Sequence, residues 1–173
     1  HKMSQTQVER LFIADKTSLM FDQFRLNTTL QVSGSTNATI TANLERADTS
    51  GIDTIVGAGM SESSGIFTFP STGHYLVTAV VNMSNNSAEV AYAGTQIRVT
   101  TDNGTYNTRA EGYNYVPNVA SAYGCVTARC LVDVTSTTNV KVLFRINANA
   151  AVQMYGHSSN NASHFMFHKI GDT

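Results

Sequence analysis

Charge is scarce in this chain. Of its 173 residues only 13% are Asp, Glu, Lys or Arg, and 11 basic against 12 acidic side chains leave a formal net charge of -1. Soluble domains ordinarily carry about a quarter charged residues. Without an excess of positive charge there is no field to gather a polyanion, so nucleic acid is not expected as a partner. Long apolar runs are missing as well. The longest, near Tyr75 to Val81, falls far short of the roughly 18 residues a membrane helix needs, and no membrane insertion is expected. Cysteine is limited to Cys125 and Cys130, too few for a disulfide scaffold and without the partners of a zinc site. Their odd separation within one apparent strand, Cys125 to Val134, points them to opposite faces, so they cannot bond without breaking it. Both are read as free thiols packed in the interior.

Catalytic signatures are also absent. There is no Gly-x-Ser-x-Gly elbow, no phosphate-cradling Gly-Lys-Ser loop and no His-Glu-x-x-His helix. The carboxylates are scattered, and none combines with a nearby His in a recognisable pattern. No catalytic residue, metal ligand or cofactor is assigned, and an enzyme is not expected.

What replaces charge is Ser, Thr and Asn, roughly thirty per cent of the chain, beside 42% apolar residues. That composition fits one globular domain with a polar, nearly uncharged surface. The opening His1-Lys2-Met3 is read as a cloning remnant, and residues 1–18 as a lead-in or linker before a domain spanning 19–173. Within that lead-in, Ser4 to Asp15 has weak helical spacing at Val8, Leu11 and Phe12 and serves equally as an extended segment.

From Leu19 onward the segments are short, rich in β-branched and aromatic residues, and punctuated by Gly, Asn and Ser. Strands are expected near Leu19 to Asn27, Ala38 to Arg46, Gly65 to Phe69, His74 to Asn82, Glu89 to Thr100, Thr105 to Tyr115, Cys125 to Val134, Val140 to Asn147 and His164 to Ile170. The fold is all-β, in two layers. Asp102-Asn103-Gly104 signals a hairpin.

Alternation differs among these strands. Ile97, Val99, Val140, Val142, Phe144 and Ile146 share one parity while Gln96, Arg98, Lys141 and Arg145 share the other, which gives one dry and one wet face. Elsewhere the second parity is apolar too: Leu76 and Val80 in one strand, Leu131 in another, Met166 and Ile170 in the last. Burial on both faces of an antiparallel sheet usually means a partner subunit, and an obligate oligomer follows, with Leu76, Val80, Leu131 and Met166 at the interface. The alternative is that these side chains scatter singly over an ordinary surface.

Gly65-Ile66-Phe67-Thr68-Phe69-Pro70-Ser71-Thr72-Gly73-His74-Tyr75-Leu76-Val77 resembles the signature of the C1q and tumour-necrosis-factor superfamily, with Phe67, Gly73 and Tyr75 at the family spacing. Ser163 to Ile170 is similar to the closing strand of those domains. The resemblance spans Leu19 to Gly171 and implies a jelly-roll β-sandwich of about ten antiparallel strands that assembles as a homotrimer. Asp22-Gln23-Phe24-Arg25-Leu26, Asn43 to Asp48 and Gly57 to Gly65 further resemble C1q-like domains in virion proteins of marine bacteriophages, particularly those infecting cyanobacteria.

In that topology the connections near Asn85 to Ala88, Gly112 to Tyr123 and Gly156 to Ser163 meet at an apex opposite the termini. Asn85, Asn86, Tyr113, Asn114, Tyr115, His157, Asn160 and Asn161 would lie there, a low-entropy surface suited to a glycan or protein receptor; each also serves as an ordinary turn residue. His164 and His168 share a face with Met166, which a three-fold axis could gather around an ion, although satisfied or exposed histidines are the commoner case. Two roles remain. One is a virion structural protein, the trimeric knob of a fibre, tail or capsid appendage, joined to other virion proteins through its N-terminal segment and presenting its apex to a host surface. The other is a secreted C1q-like adhesion or signalling module of a cellular organism.

Overall fold

A computed structural model describes residues 19–34, 36–52 and 55–173. The expectation for Ser4 to Asp15 lies outside these residues. No helix occurs among the described residues, which form fourteen strands: β1 (Met20–Leu26), β2 (Leu30–Val32), β3 (Thr36–Thr39), β4 (Leu44–Arg46), β5 (Ile55–Val56), β6 (Ser61–Ser63), β7 (Ile66–Thr68), β8 (Gly73–Asn85), β9 (Val90–Thr100), β10 (Asn107–Val116), β11 (Tyr123–Val134), β12 (Lys141–Ala148), β13 (Val152–Met154) and β14 (His164–Gly171).

All pairings are antiparallel, in two sheets. The eight-stranded sheet runs β2, β13, β8, β14, β1, β4, with β11 on the other edge of β8 and β5 beside β1; the six-stranded sheet runs β10, β9, β12, β7, β6, with β3 also on β12. β8 organises the first. It pairs β14 along His74 to Val80 and β13 at Met83 to Asn85 on one side, and β11 along its whole length on the other.

Period-two alternation puts Tyr75, Val77, Ala79, Val81 and Met83 of β8 between the sheets, where they meet Ile97, Val99, Val142, Phe144 and Ile146. Phe24, Phe67, Phe144, Phe165 and Phe167 form the centre. Phe67 lies 5.0 Å from both Phe24 and Phe167, and Phe144 stacks on Phe165 at 4.2 Å. Such ring pairs add about 0.5–1.5 kcal/mol each beyond area burial. The motif residues all serve this core. Phe67 and Tyr75 are fully buried, and the Tyr75 hydroxyl reaches Ser71 Oγ at 2.9 Å and donates to the Ser71 carbonyl at 3.1 Å.

Four sequence expectations need correction. Ala38 to Arg46 is two strands, not one: β3 joins the six-stranded sheet and β4 the eight-stranded sheet, and the chain changes layer through Asn43 at φ 61°. Four further strands of two or three residues, β2, β5, β6 and β13, bring the expected nine to fourteen. The hairpin after β9 exists, but Asn103 alone takes positive φ, and the Asp102 carboxylate closes a longer loop by accepting from Thr100 Oγ1 and the Gly104 and Thr105 amides. Finally, Cys130 packs against the core, whereas Cys125, on the opposite face of β11, is exposed rather than interior.

Buried charge ties β1 to β4 and the residues that follow it. Asp22 points into the core and accepts from Arg46 Nε at 2.9 Å and the Met60 amide at 2.7 Å. Arg25, on the opposite parity, is fully covered and donates to Glu45, Asp48 and Thr49.

Candidate functional site

Alternation gives the eight-stranded sheet a second face, turned away from the core. Cross-strand register assembles it in rows: Phe21, His168, Leu76 and Leu131; then Gln23, Met166, Thr78 and Arg129; then Arg25, His164, Val80 and Thr127. Leu76, Val80 and Met166 are half-buried by their sheet neighbours, while Leu131 is 59% and Ile170 56% exposed. Phe21 and His168 meet edge to face at 6.1 Å. Farther along, the exposed rings of Tyr123 and Tyr155 pack at 5.1 Å with their hydroxyls 3.1 Å apart. The four residues assigned to an interface from parity alone therefore lie on one continuous surface. Tyr123, which shares the parity of Leu131 on β11, extends it and was legible by the same rule.

Beside this face, β10 and β11 lie against each other as the outermost strands on one side of the two sheets. A groove of about 360 Å³ between them is lined by Arg109, Cys130, Leu131 and Asp133. Burial raises the pKa of the Cys130 thiol, with the Arg109 charge opposing, so the sulfur stays protonated and suits packing rather than nucleophilic attack.

The candidate receptor residues divide into three groups. Asn85 closes the β8–β9 turn onto the β10–β11 connection, its amide donating to the carbonyls of Pro117 at 2.8 Å and Val119 at 3.2 Å, with Asn86 half-buried beside it. His157, Asn160 and Asn161 belong to the loop before β14, which folds over the end of β1: the His157 amide donates to the Leu26 carbonyl, and Asn161 Nδ2 to Gln23 Oε1 at 3.0 Å. Ser159 N donates to His157 Nδ1, so that imidazole also shapes its own turn.

Tyr113, Asn114 and Tyr115 are strand residues, because β10 continues to Val116 and the connection covers only 117–122. Asn114 donates to the Cys125 carbonyl across the β10–β11 edge. Tyr115 is exposed, and desolvation together with nearby Glu89 raises its pKa. Tyr113 stands on the outer face of the six-stranded sheet, where its hydroxyl donates to Glu111 Oε2 at 2.9 Å and accepts from Gln96 Nε2 and Asn147 Nδ2, both at 3.0 Å. Tyr92 packs edge to face against it at 5.8 Å. Gln96, Glu111, Asn147 and Tyr92 escaped the sequence reading because only register across β10, β9 and β12 brings them together.

Among the described residues no group of three His, Cys, Asp or Glu side chains is placed to hold a metal ion. His164 and His168 do flank Met166 on one face.

No protein-family model and no curated protein matches the sequence. Solved structures do match the fold. The crystal structure of murine APRIL at pH 5.0 superimposes with a TM-score of 0.61 at 14% identity, over 88% of this chain and 99% of that one. The structure of Eiger TNF from S. frugiperda gives 0.60 at 13% identity, over 90% and 95%. At such low identity the likeness concerns fold, and that fold is the TNF-like jelly-roll β-sandwich.

Proposed function

We propose that this chain is a C1q/TNF-type trimeric β-knob that binds a surface receptor without chemistry of its own. The observation that carries the reading is the group of exposed apolar side chains on the outer face of the eight-stranded sheet. Covering one Leu, Ile or Met side chain is worth about 1.5–3 kcal/mol, and Leu131, Ile170 and Tyr123 are open enough to gain most of that from a neighbouring copy. The superfamily resemblance supplies the number three. Three rigidly held copies then convert weak individual contacts into strong attachment.

The finer placement is the virion of a phage, as the knob of a fibre, tail or capsid appendage joined to other virion proteins through the segment before Leu19. The residue phrasing of 22–26, 43–48 and 57–65 supports it. A second reading, a secreted cellular adhesion or signalling module, draws on the murine APRIL and Eiger TNF neighbours. Mass spectrometry of purified virions against secreted fractions separates the two.

Light scattering tests the trimer. Purified protein at micromolar concentration should show three times the 18.7 kDa chain mass, and Leu131→Asp combined with Met166→Lys should return it to a monomer. A monomeric wild type overturns the reading.

A further inference from the structure

The outer face of the six-stranded sheet carries two arginines on neighbouring strands. Arg98 of β9 pairs with Leu143, and Arg145 of β12 pairs with Gln96, so the two lie diagonally across one ladder. Among the described residues neither forms an ion pair with a carboxylate. Burial, and then the positive charge of Arg98, weaken the hold of Arg145 on its proton. Arg98 anchors one Nη on the Tyr106 carbonyl. Arg145 makes no side-chain hydrogen bond among the described residues, and the Nε of both arginines is shielded from solvent without an acceptor.

Gln96 continues the row. It is only 7% exposed, its Nε2 is used by Glu111 and Tyr113, and its buried Oε1 has no donor. Shielding Leu143 would explain long aliphatic stems here, since Leu143 is buried although it faces outward. It does not explain two adjacent like charges, nor three shielded polar atoms left without partners.

We propose that this strip is a binding site for an acidic saccharide, with Arg98 and Arg145 holding a sugar carboxylate or sulfate and the half-buried side-chain amide of Asn147 taking a hydroxyl. Guanidinium forks match planar or tetrahedral oxyanions with paired hydrogen bonds. The exposed Tyr92–Tyr113 pair supplies ring surface at one end. Glu111 stands in the same row as Arg145, two strands away at roughly 10 Å. Its charge keeps the acidic group at the arginine end and gives the sugar one orientation. The site lies on the sheet opposite the Leu131 face, so three copies packed through that face leave three sites open. The assignment thus deepens the attachment reading by naming its ligand class.

Calorimetric titration of the purified chain with sialyllactose, a heparin-derived sulfated disaccharide and neutral lactose tests it. At least one acidic sugar should bind while lactose does not, and the choice between them identifies carboxylate or sulfate. Arg98→Gln and Arg145→Gln should each weaken binding at least tenfold with the circular dichroism spectrum unchanged. Glu111→Gln, a second variant that leaves the arginines intact, should narrow the preference for acidic over neutral sugar. Failure of both acidic sugars to bind, or unaltered binding by the folded Arg98→Gln, Arg145→Gln double variant, overturns the site. A trimer that ignores both sugars sinks this assignment alone, whereas a monomer that binds them sinks only the oligomer.

Discussion

His164 shows how position sets the behaviour of a single group. It sits half-buried on the outer face of the eight-stranded sheet between Arg25 and Val80, with Nδ1 2.9 Å from the Asn161 carbonyl. Burial lowers its pKa from the ordinary 6.5, only partly offset by that hydrogen bond. The unfolded chain therefore takes up the proton first as pH falls. This contribution is fully present above about pH 6.5 and is lost as pH drops through the folded value. Glu45, its pKa lowered by Asn27 and Arg25 against opposing burial, adds acid sensitivity only below its ordinary 4.5. Thermal melts at pH 7.5 and 5.5 isolate the histidine: the wild type should lose stability between them, and His164→Gln should lose less. Equal losses would show that burial of His164 is not the source. At this scale the sequence marked Phe67, Gly73 and Tyr75 through their spacing. It did not disclose that Asp22 and Arg25 are buried, because their covers come from Arg46, Glu45 and Asp48 through long-range pairing.

Among elements, the long strands were legible from alternation, whereas β2, β5, β6 and β13 were not, since two or three residues carry no period; β7, equally short, was bracketed by Gly65 and Pro70. β7 and β8 join through the glycine of the motif, and its necessity is geometric. Gly73 has φ 138°, and an added Cβ would stand 2.5 Å from the Gly171 carbonyl oxygen and 2.4 Å from Lys169 Cε. Gly73→Ala should lower the urea midpoint by an amount equivalent to about 1–3 kcal/mol. Gly104→Ala, where the nearest atom is 3.5 Å away, should stay within about 0.5 kcal/mol. Similar values for the two would remove the steric reason for the motif glycine. The turn at Asn43 was missed because no Gly or Pro interrupts residues 38–46, and only the pairing partners β12 and β1 separate the two halves.

For the whole molecule, the proposed assembly predicts that stability is coupled to concentration. Association that favours the folded copies raises the melting temperature as protein concentration rises. The wild type should melt several degrees lower after hundredfold dilution, while the Leu131→Asp, Met166→Lys variant should melt at a concentration-independent temperature. A wild-type melt insensitive to dilution would leave the outer face without a partner copy. The sequence alone determined the β class, the core parity and the apolar second face, because side-chain alternation is a local property of a strand. Tertiary structure decided which strands share a sheet, which loops meet, and that Arg98, Arg145, Gln96 and Tyr113 form one strip. Those relations depend on register between segments far apart in the chain, and no local pattern encodes register.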